Sequence, residues 1–277
     1  MAVQEYYLPK SLEQALTLLA DHGDTLLVMA GGTIAMPLIN DGISMPEKVM
    51  GLRHAGLNTM QTGDGVVRFG ATTTLTQLAQ QDAVPLLREA VGHIGGWQIR
   101  NMGTLGGNLF APPPAGDLAV ALLALDTRLK LVSRRGERIV PLSEFYTGFM
   151  ATALASGELV AEAQVPLPRG KTSYVKYGRK HANTPAIVTV ATHVTTAADG
   201  TVREARIALN AVGPHPLRAR RAEQCLMGAP LTPATIAEAA RVAADECDPF
   251  TDAIATDWYR RRMVTVFVKR ALESIAA

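Results

Sequence analysis

Residues 98–108 read Gln98-Ile99-Arg100-Asn101-Met102-Gly103-Thr104-Leu105-Gly106-Gly107-Asn108, and this glycine-rich segment follows a helical pattern. Another glycine turn, Ala30-Gly31-Gly32-Thr33, lies far upstream and follows the apolar run 25–29, which predicts a short buried strand. We name this upstream turn the first glycine turn and residues 104–108 the second glycine turn. Glycine lets a backbone approach a ligand without an intervening Cβ, and consecutive N–H groups of such a turn can converge on an anion. Two such turns in one chain predict a site for the pyrophosphate of a dinucleotide.

The two turns supply the candidate ligand-binding residues. The glycines at the centre of this prediction are Gly31, Gly32, Gly106 and Gly107. Thr33 and Thr104 add hydroxyl donors, while Asn108 either binds the ligand or ties the loop to its own backbone. Asp117 is suited to accept hydrogen bonds from ribose hydroxyls, or alternatively to cap a helix. An ordinary tight bend explains either turn alone, but it explains both less readily.

Neither turn matches the common nucleotide-binding signatures. One such signature is the Gly-x-Gly-x-x-Gly of a Rossmann fold, and the other is the phosphate loop that ends in Lys-Ser/Thr. NAD binding by Rossmann geometry is therefore not expected.

Length and charge exclude several classes of protein. At 277 residues the chain is long enough for about two domains. No apolar run approaches the roughly 20 residues that cross a bilayer. A net charge of +2 is too small for a nucleic-acid-binding surface. The first residues lack the pattern of a secretory signal, which predicts a cytoplasmic protein.

Cysteine and histidine usage indicates no metal site. Cys225 and Cys247 are the only cysteines, and their spacing is not that of a Cys-x-x-Cys motif. The 6 histidines show no metal-ligand spacing either. We therefore expect reduced, structural cysteines and no bound metal in this chain.

The apolar pattern predicts an α+β protein with two domains. Residues 1–170 form the first domain, with parts at 1–56 and 57–170, because the proline-rich run 166–170 marks a boundary. A helix is predicted after Ser11, which has Gln14 three residues later, as in a capping box. Residues 171–277 contain three strand patterns and several helical patterns, which predict a three-stranded antiparallel sheet with flanking helices.

The two glycine turns, taken with Lys176-Tyr177-Gly178-Arg179-Lys180, resemble the FAD-binding medium subunits of molybdenum hydroxylases. These include the carbon monoxide dehydrogenase and xanthine dehydrogenase families. The resemblance spans essentially the whole chain, including Asp257-Trp258-Tyr259-Arg260-Arg261 in the last predicted helix. It implies a vanillyl-alcohol-oxidase-type (PCMH-type) FAD-binding fold in two α/β subdomains, followed by a C-terminal domain with a three-stranded sheet and helices.

The same resemblance implies which residues bind FAD. The residues of its two loops are Ala30, Gly31, Gly32, Thr33, Ile34 and Ala35, then Thr104, Leu105, Gly106, Gly107 and Asn108. Asp117 would contact the ribose, the Val160 backbone would approach the flavin ring, and Lys176 would lie near the FAD. The chain departs from the family pattern in two places. Pro113 stands where many relatives have an aspartate, and Asn183-Thr184 stands where the carbon monoxide dehydrogenase branch has an Asp-Tyr pair.

The implied function is electron transfer within a molybdenum-containing dehydrogenase, so the chain would be an oxidoreductase subunit. FAD would be the cofactor of this chain, while partner subunits carry the molybdenum cofactor and [2Fe-2S] clusters. The large molybdenum subunit would oxidise the substrate, and the small [2Fe-2S] subunit would relay electrons through FAD to an external acceptor. The resemblance also implies a dimer of such heterotrimers. No side chain need act as a general base, so no catalytic residue is assigned.

Two alternatives stay open at this point. A self-contained flavin oxidase or dehydrogenase of the same fold would need acid and base residues, for which Tyr177, Arg179 and His181 are candidates. A subunit that has kept the fold but lost FAD would be purely structural. The intact glycine pairs of both turns argue against that second alternative.

Overall fold

The computed structural model describes residues 3–180 and 183–276. The strands are β1 (Glu5–Tyr7), β2 (Leu26–Met29), β3 (Lys48–Gly51), β4 (Met60–Gly63), β5 (Val66–Gly70), β6 (Arg128–Ser133), β7 (Gly136–Pro141), β8 (Tyr146–Gly148), β9 (Ala151–Thr152), β10 (Leu159–Pro166), β11 (Lys171–Gly178), β12 (Ala186–Thr196), β13 (Val202–Asn210) and β14 (Leu217–Arg218). The helices are α1 (Leu12–His22), α2 (Ala35–Asn40), α3 (Leu75–Gln80), α4 (Pro85–Gly92), α5 (Trp97–Met102), α6 (Leu105–Leu109), α7 (Asp117–Ala124), α8 (Arg220–Leu226), α9 (Pro233–Asp245) and α10 (Asp257–Ala276).

A small parallel sheet in the order β1-β3-β2 contains the N-terminal strands. The helix predicted after Ser11 is α1, and the Gln14 N–H donates to Ser11 Oγ at 3.2 Å. The return bond of the predicted capping box differs, because Gln14 Oε1 accepts the N–H of Lys10 at 2.7 Å. Strand β2 lies at the edge of this sheet and leads directly into the first glycine turn.

A five-stranded antiparallel sheet in the order β4-β5-β10-β6-β7 carries the middle of the chain. Helices α3, α4, α6 and α7 share its hydrophobic core. The helical pattern of residues 74–95 predicts an interruption at Pro85, because proline breaks a helix interior. The structure confirms it, since α3 ends at Gln80 and Pro85 begins α4. Strand β10 shifts its register against β6 between Val160 and Glu162, a bulge of the kind that often borders functional sites.

The C-terminal sheet has four antiparallel strands in the order β11-β12-β13-β14, one more than the sequence predicts. The additional strand is β14, which is two residues long and pairs with β13. Two residues are too few to show the alternation that identifies a strand in a sequence. Helices α8, α9 and α10 share a second hydrophobic core with this sheet.

Helix α7 joins the two halves of the molecule. Its residues from Asp117 to Ala124 are all buried, as expected for a helix that is apolar on every side. Tyr174, Ala191 and Ala208 of the C-terminal sheet belong to the same core as α7. The division predicted at residue 170 falls between β10 and β11, and it stays a prediction.

Three further observations apply to residues 3–180 and 183–276. No helix there combines the length and the hydropathy that crossing a bilayer requires. No three His, Cys, Asp or Glu side chains in that part of the chain gather as metal ligands. Cys225 and Cys247 are both free thiols, and burial raises the pKa of Cys247 to about 12.

Candidate cofactor site

A cleft of about 370 Å³ is bordered by β2, both glycine turns, α2 and the start of β10. Most of the residues that line it are aliphatic, including Leu27, Leu38 and Leu159. Glu158 is the ionisable residue in this lining. An apolar cleft with few polar groups is typical of sites for small molecules and cofactors.

The first glycine turn forms one side of the cleft, between β2 and α2. Gly32 has a φ of +73°, the left-handed conformation that favours glycine. A Cβ on Gly31 would lie 2.0 Å from the carbonyl oxygen of Met102, closer than two such atoms can approach. Glycine is therefore required by conformation at position 32 and by the neighbouring backbone at position 31.

The N–H groups of residues 31–35 have no hydrogen-bond acceptor among the residues that the structure describes. These residues are half-buried and all line the cleft. Because these residues are half-buried beside a cleft, their five consecutive N–H groups are available to water or to a ligand. Such a row suits an anion that carries several acceptor oxygens.

The second glycine turn has the opposite hydrogen-bonding pattern. It runs from the end of α5 into α6, and the N–H groups of residues 105–108 all donate within the protein. The acceptors, in order, are Thr73 O, Ala71 O, Thr104 Oγ1 and Thr104 O, at distances of 2.9, 2.8, 3.0 and 3.0 Å. Unpaired N–H groups are therefore a feature of the first turn and not of the second.

Close packing explains why the second turn is rich in glycine. A Cβ on Gly106 would lie 2.8 Å from Ala71 O, and one on Gly107 would lie 3.0 Å from Thr104 Oγ1. The same Cβ position on Gly107 is 3.9 Å from the Cβ of Ala30 in the first turn. The two turns consequently lie side by side at one end of the cleft.

Most of the predicted site residues line the cleft. They are Ala30, Gly31, Gly32, Thr33, Ile34, Ala35, Thr104, Gly106, Gly107 and Val160. Leu105 instead lies fully buried in the core beneath the turn. Asn108 Oδ1 accepts the N–H of Leu118 at 3.0 Å, so this side chain ties the second turn to the start of α7.

Asp117 and Lys176, the other predicted site residues, form a buried ion pair with 2.8 Å between Lys176 Nζ and Asp117 Oδ2. The second carboxylate oxygen accepts from Thr189 Oγ1 at 2.8 Å, and Lys176 Nζ also donates to His93 O at 3.1 Å. Asp117 is the first residue of α7, and Gly116 occupies the N-cap position. Neither side chain of the pair is part of the cleft lining, so their contacts with FAD stay predictions.

Glu158 lines the cleft, although no sequence motif singles it out. Arg138 Nε and Nη2 donate to its two carboxylate oxygens at 2.8 and 2.7 Å, and the Ala155 N–H donates at 2.8 Å. The hydrogen bonds from Arg138, with a smaller contribution from Ala155, hold the pKa of Glu158 below its usual range despite partial burial. The carboxylate at the cleft is therefore ionised at neutral pH, and the Arg138 guanidinium balances its charge.

Phe110, Leu154 and Ala71 also line the cleft without belonging to a predicted binding loop. Phe110 directly follows α6 and is 45% exposed. Its position just after the second turn could have identified it in the sequence as a residue of the cleft. Leu154 lies between β9 and β10, and Ala71 follows β5. No local pattern marks these two residues, because the fold brings them to the cleft from distant parts of the chain.

Of the residues considered for acid and base catalysis, Tyr177 and Arg179 do not line the cleft. Tyr177 OH lies 2.9 Å from Tyr259 OH, and its ring stacks on Phe267 with 4.5 Å between centroids. Arg179 is exposed to solvent, and His181 lies outside the described residues. This arrangement does not favour a self-contained flavin oxidase.

The residues present fit a flavin dinucleotide. The unpaired N–H groups of residues 31–35 suit a pyrophosphate. The glycines of both turns leave room that a side chain would occupy. The aliphatic walls suit the apolar parts of such a cofactor.

Known protein families match the chain over nearly its whole length. Residues 1–168 match the FAD binding domain in molybdopterin dehydrogenase, and residues 173–275 match the CO dehydrogenase flavoprotein C-terminal domain. Both matches agree with the resemblance drawn from the glycine turns and confirm the α+β fold class.

Individual relatives show the same family. The 6-hydroxypseudooxynicotine dehydrogenase complex subunit alpha of Paenarthrobacter nicotinovorans is 34% identical over 275 residues, which cover 97% of this chain and 93% of the relative. The carbon monoxide dehydrogenase medium chain of Afipia carboxidovorans is 30% identical, with coverage of 99% and 96%. The solved structure of reconstituted CO dehydrogenase from Oligotropha carboxidovorans has a TM-score of 0.93 at 30% identity, with coverage of 98% and 97%. The chain belongs to the FAD-binding medium subunits of the molybdenum hydroxylases, which are oxidoreductase subunits of multi-subunit complexes.

Proposed function

We propose that the cleft holds FAD with its pyrophosphate at the first glycine turn. The unpaired N–H groups of residues 31–35 carry this proposal, because pyrophosphate oxygens need several donors in one place. Thr33 and Thr104 line the cleft from the two turns and can add hydroxyl donors. The proposed contacts are Ala30, Gly31, Gly32, Thr33, Ile34, Ala35, Thr104, Gly106, Gly107 and Val160.

Four further residues belong to the proposed site although their side chains do not line the cleft: Leu105, Asn108, Asp117 and Lys176. Leu105 anchors the turn in the core, and Asn108 ties it to α7. Asp117 keeps its proposed contact with a ribose hydroxyl, because a carboxylate has about four lone-pair sites and Lys176 and Thr189 use two of them.

Bound FAD supplies the redox chemistry, by which electrons from the [2Fe-2S] clusters of a partner subunit reach an external acceptor. The residues of this chain bind and orient the cofactor, and the aliphatic lining, such as Leu154 and Leu159, excludes water from it. No side chain of the described cleft lining other than Glu158 is ionisable, and Arg138 and Ala155 hold that carboxylate. We therefore place substrate oxidation on the molybdenum subunit.

The visible absorption spectrum of the purified chain tests the proposal, followed by identification of any chromophore released on denaturation. We expect flavin bands and release of equimolar FAD. A chain that holds no flavin and binds none when FAD is added contradicts the proposed site and favours a purely structural subunit. Turnover of an organic electron donor by the isolated chain would instead support a self-contained flavin enzyme.

We further propose a cytoplasmic assembly of this chain with a large molybdenum-cofactor subunit and a small [2Fe-2S] subunit, as a dimer of heterotrimers. The support is that relatives are named as a complex subunit and as medium chains. Purification of the native complex, mass spectrometry of its chains and light scattering test the composition, and cell fractionation tests the compartment. A chain that purifies alone at its own mass would contradict the assembly.

A further inference from the structure

The segment 108–118 links the second glycine turn to helix α7 and folds back on itself. Asn108 Oδ1 accepts the N–H of Leu118, so the two ends of the segment are joined. Gly116 has a φ of +83°, and a Cβ there would lie 3.1 Å from Ala111 O. Because the segment is this tightly folded, a shift at its α7 end also moves Asn108 at the end of the second turn.

Three neighbouring strands of the C-terminal sheet hold the α7 end of this segment. From β11, Tyr174 OH donates to Asp117 O at 3.2 Å. From β12, Thr189 Oγ1 donates to Asp117 Oδ1 at 2.8 Å. From β13, Asn210 Nδ2 donates to Ala115 O at 2.7 Å. Together with Lys176 of β11, which pairs with Asp117 Oδ2 at 2.8 Å, these donors hold residues 115–117 against the C-terminal sheet.

Of these three donors, Thr189 is the one that bonds the Asp117 carboxylate, whereas the other two bond backbone carbonyls. Thr189 is fully buried, and the Asp117 side chain that it contacts is only 7% exposed. A hydrogen bond to a buried carboxylate contributes more than one between neutral groups, and an oxygen left without its donor pays a desolvation penalty. Without the Thr189 hydroxyl, the Asp117 carboxylate would be held by Lys176 on its Oδ2 side alone.

We propose that Thr189 is a positioning residue for the cofactor site. Its hydroxyl fixes the Asp117 carboxylate at the start of α7, and that helix start is bonded to Asn108 in the second glycine turn. The C-terminal sheet thereby holds one wall of a cleft whose lining comes from the N-terminal 160 residues. This inference rests on the proposed FAD site in that cleft.

The test compares Thr189→Val with Thr189→Ser and Thr192→Val in the full chain. Valine removes the hydroxyl while keeping the branched shape, and serine keeps the hydroxyl. Thr192 is the matched control because it lies on the same strand, is equally buried, and has a hydroxyl with no partner among the described residues. Each chain is stripped of flavin and titrated with FAD and with ADP, which carries a pyrophosphate without a flavin. Urea unfolding reports the stability of each variant.

We expect the Kd for FAD to rise about tenfold in Thr189→Val, as the loss of one hydrogen bond to a charged group predicts. The Kd for ADP should rise in parallel, because the second turn borders the proposed pyrophosphate position. Thr189→Ser and Thr192→Val should stay within about twofold of the unmodified chain. An unchanged Kd in Thr189→Val overturns the proposal, and so does equal weakening in Thr189→Val and Thr192→Val.

Tyr174→Phe provides the test if Thr189→Val does not fold, because it removes only the hydroxyl that donates to Asp117 O. A folded Tyr174→Phe chain with weaker FAD binding supports positioning by the C-terminal sheet, and a folded one with unchanged binding overturns it. An unmodified chain that binds no FAD overturns the proposed function and this inference together. Unmodified binding with an unaffected Thr189→Val overturns this inference alone.

Discussion

The first and second glycine turns look alike in the sequence but have different roles in the molecule. In the first turn, the N–H groups of residues 31–35 are unpaired and half-buried beside the cleft. In the second, the N–H groups of residues 105–108 all donate within the protein. A glycine pair therefore has two physical explanations: it leaves N–H donors free for a ligand, or it lets another backbone pass close by. The sequence pattern is the same in both cases.

The two roles depend on each other because the turns touch. The Gly31 backbone lies against Met102 O, just before the second turn, and Ala30 lies against Gly107. The well-bonded second turn is thus the support that fixes the unpaired donors of the first. Variants of the two turns should consequently differ in whether they lose the fold, the cofactor or both.

The largest effect is expected for Gly31→Ala. Its new Cβ would lie 2.0 Å from Met102 O, which is backbone and has no flexible side chain to move aside. The turns must separate, so we expect loss of bound FAD and a fall of about 3 kcal/mol in the free energy of unfolding. Flavin content and urea unfolding check both effects. Gly92→Ala is the control, since a Cβ at Gly92 meets nothing within 4 Å.

Gly107→Val should remove the cofactor with a smaller loss of stability. A Cβ on Gly107 would lie 3.0 Å from Thr104 Oγ1, and the rest of the valine would occupy space at the cleft wall. We expect little retained flavin in a chain that still folds, with about 1–2 kcal/mol lost from the free energy of unfolding. Unaffected FAD content in the folded variant would remove the second turn from the proposed pyrophosphate site.

Thr104→Val removes two things at once, the cap of α6 and the proposed hydroxyl donor to the cofactor. Thr104 caps α6 by accepting the Gly107 N–H, and loss of such a cap costs about 1 kcal/mol. If the cap stabilises the conformation that binds FAD, its loss should raise the Kd for FAD about fivefold. Thr104→Ser keeps the acceptor oxygen and should bind FAD as the unmodified chain does. Equal binding by the valine and serine variants would show that the Thr104 hydroxyl supports the site neither as a cap nor as a donor.

The smallest expected effect is weaker FAD binding at acid pH, which we assign to Glu158 and to neither turn. Neither turn contains an ionisable side chain, whereas Glu158 in the cleft has a pKa lowered by Arg138 from its ordinary value of 4.5. Its ion pair therefore contributes stability above that ordinary value, and the contribution is lost as the pH falls through the lowered pKa of the folded chain. We expect FAD binding to be constant near neutral pH and to weaken at acid pH, where Glu158 becomes protonated and its pair with Arg138 beside the cleft is lost. Glu158→Gln should flatten this acid limb in a fluorescence titration, and an unchanged limb would assign it to another group.

Local features of the fold were predictable because local chemistry determines them. Ser11 caps α1, Pro85 begins α4, and the apolar run before Gly31 is β2. Strand β14 could not be predicted, because two residues show no periodicity and pair only through the tertiary fold.

The candidate site shows the same limit more sharply. Its residues could be named from the glycine motifs, but which donors are free depends on carbonyls at positions 71 and 73, far upstream of the second turn. The partner of Asp117 is likewise 59 residues away at Lys176, and only the packing of the C-terminal sheet on α7 brings them together. Contacts of this range follow from topology, which a motif does not contain.

The burial of α7 on every side also sets an order for making the protein. Tyr174, Thr189 and Asn210 hold residues 115–117, yet they leave the ribosome after the segment that they hold. A nascent chain that ends before β11 therefore carries an apolar helix with one side uncovered, the kind of surface that chaperones protect. The cleft wall that this helix supports therefore depends on residues 174–210, and we expect flavin to bind only after they have been synthesised.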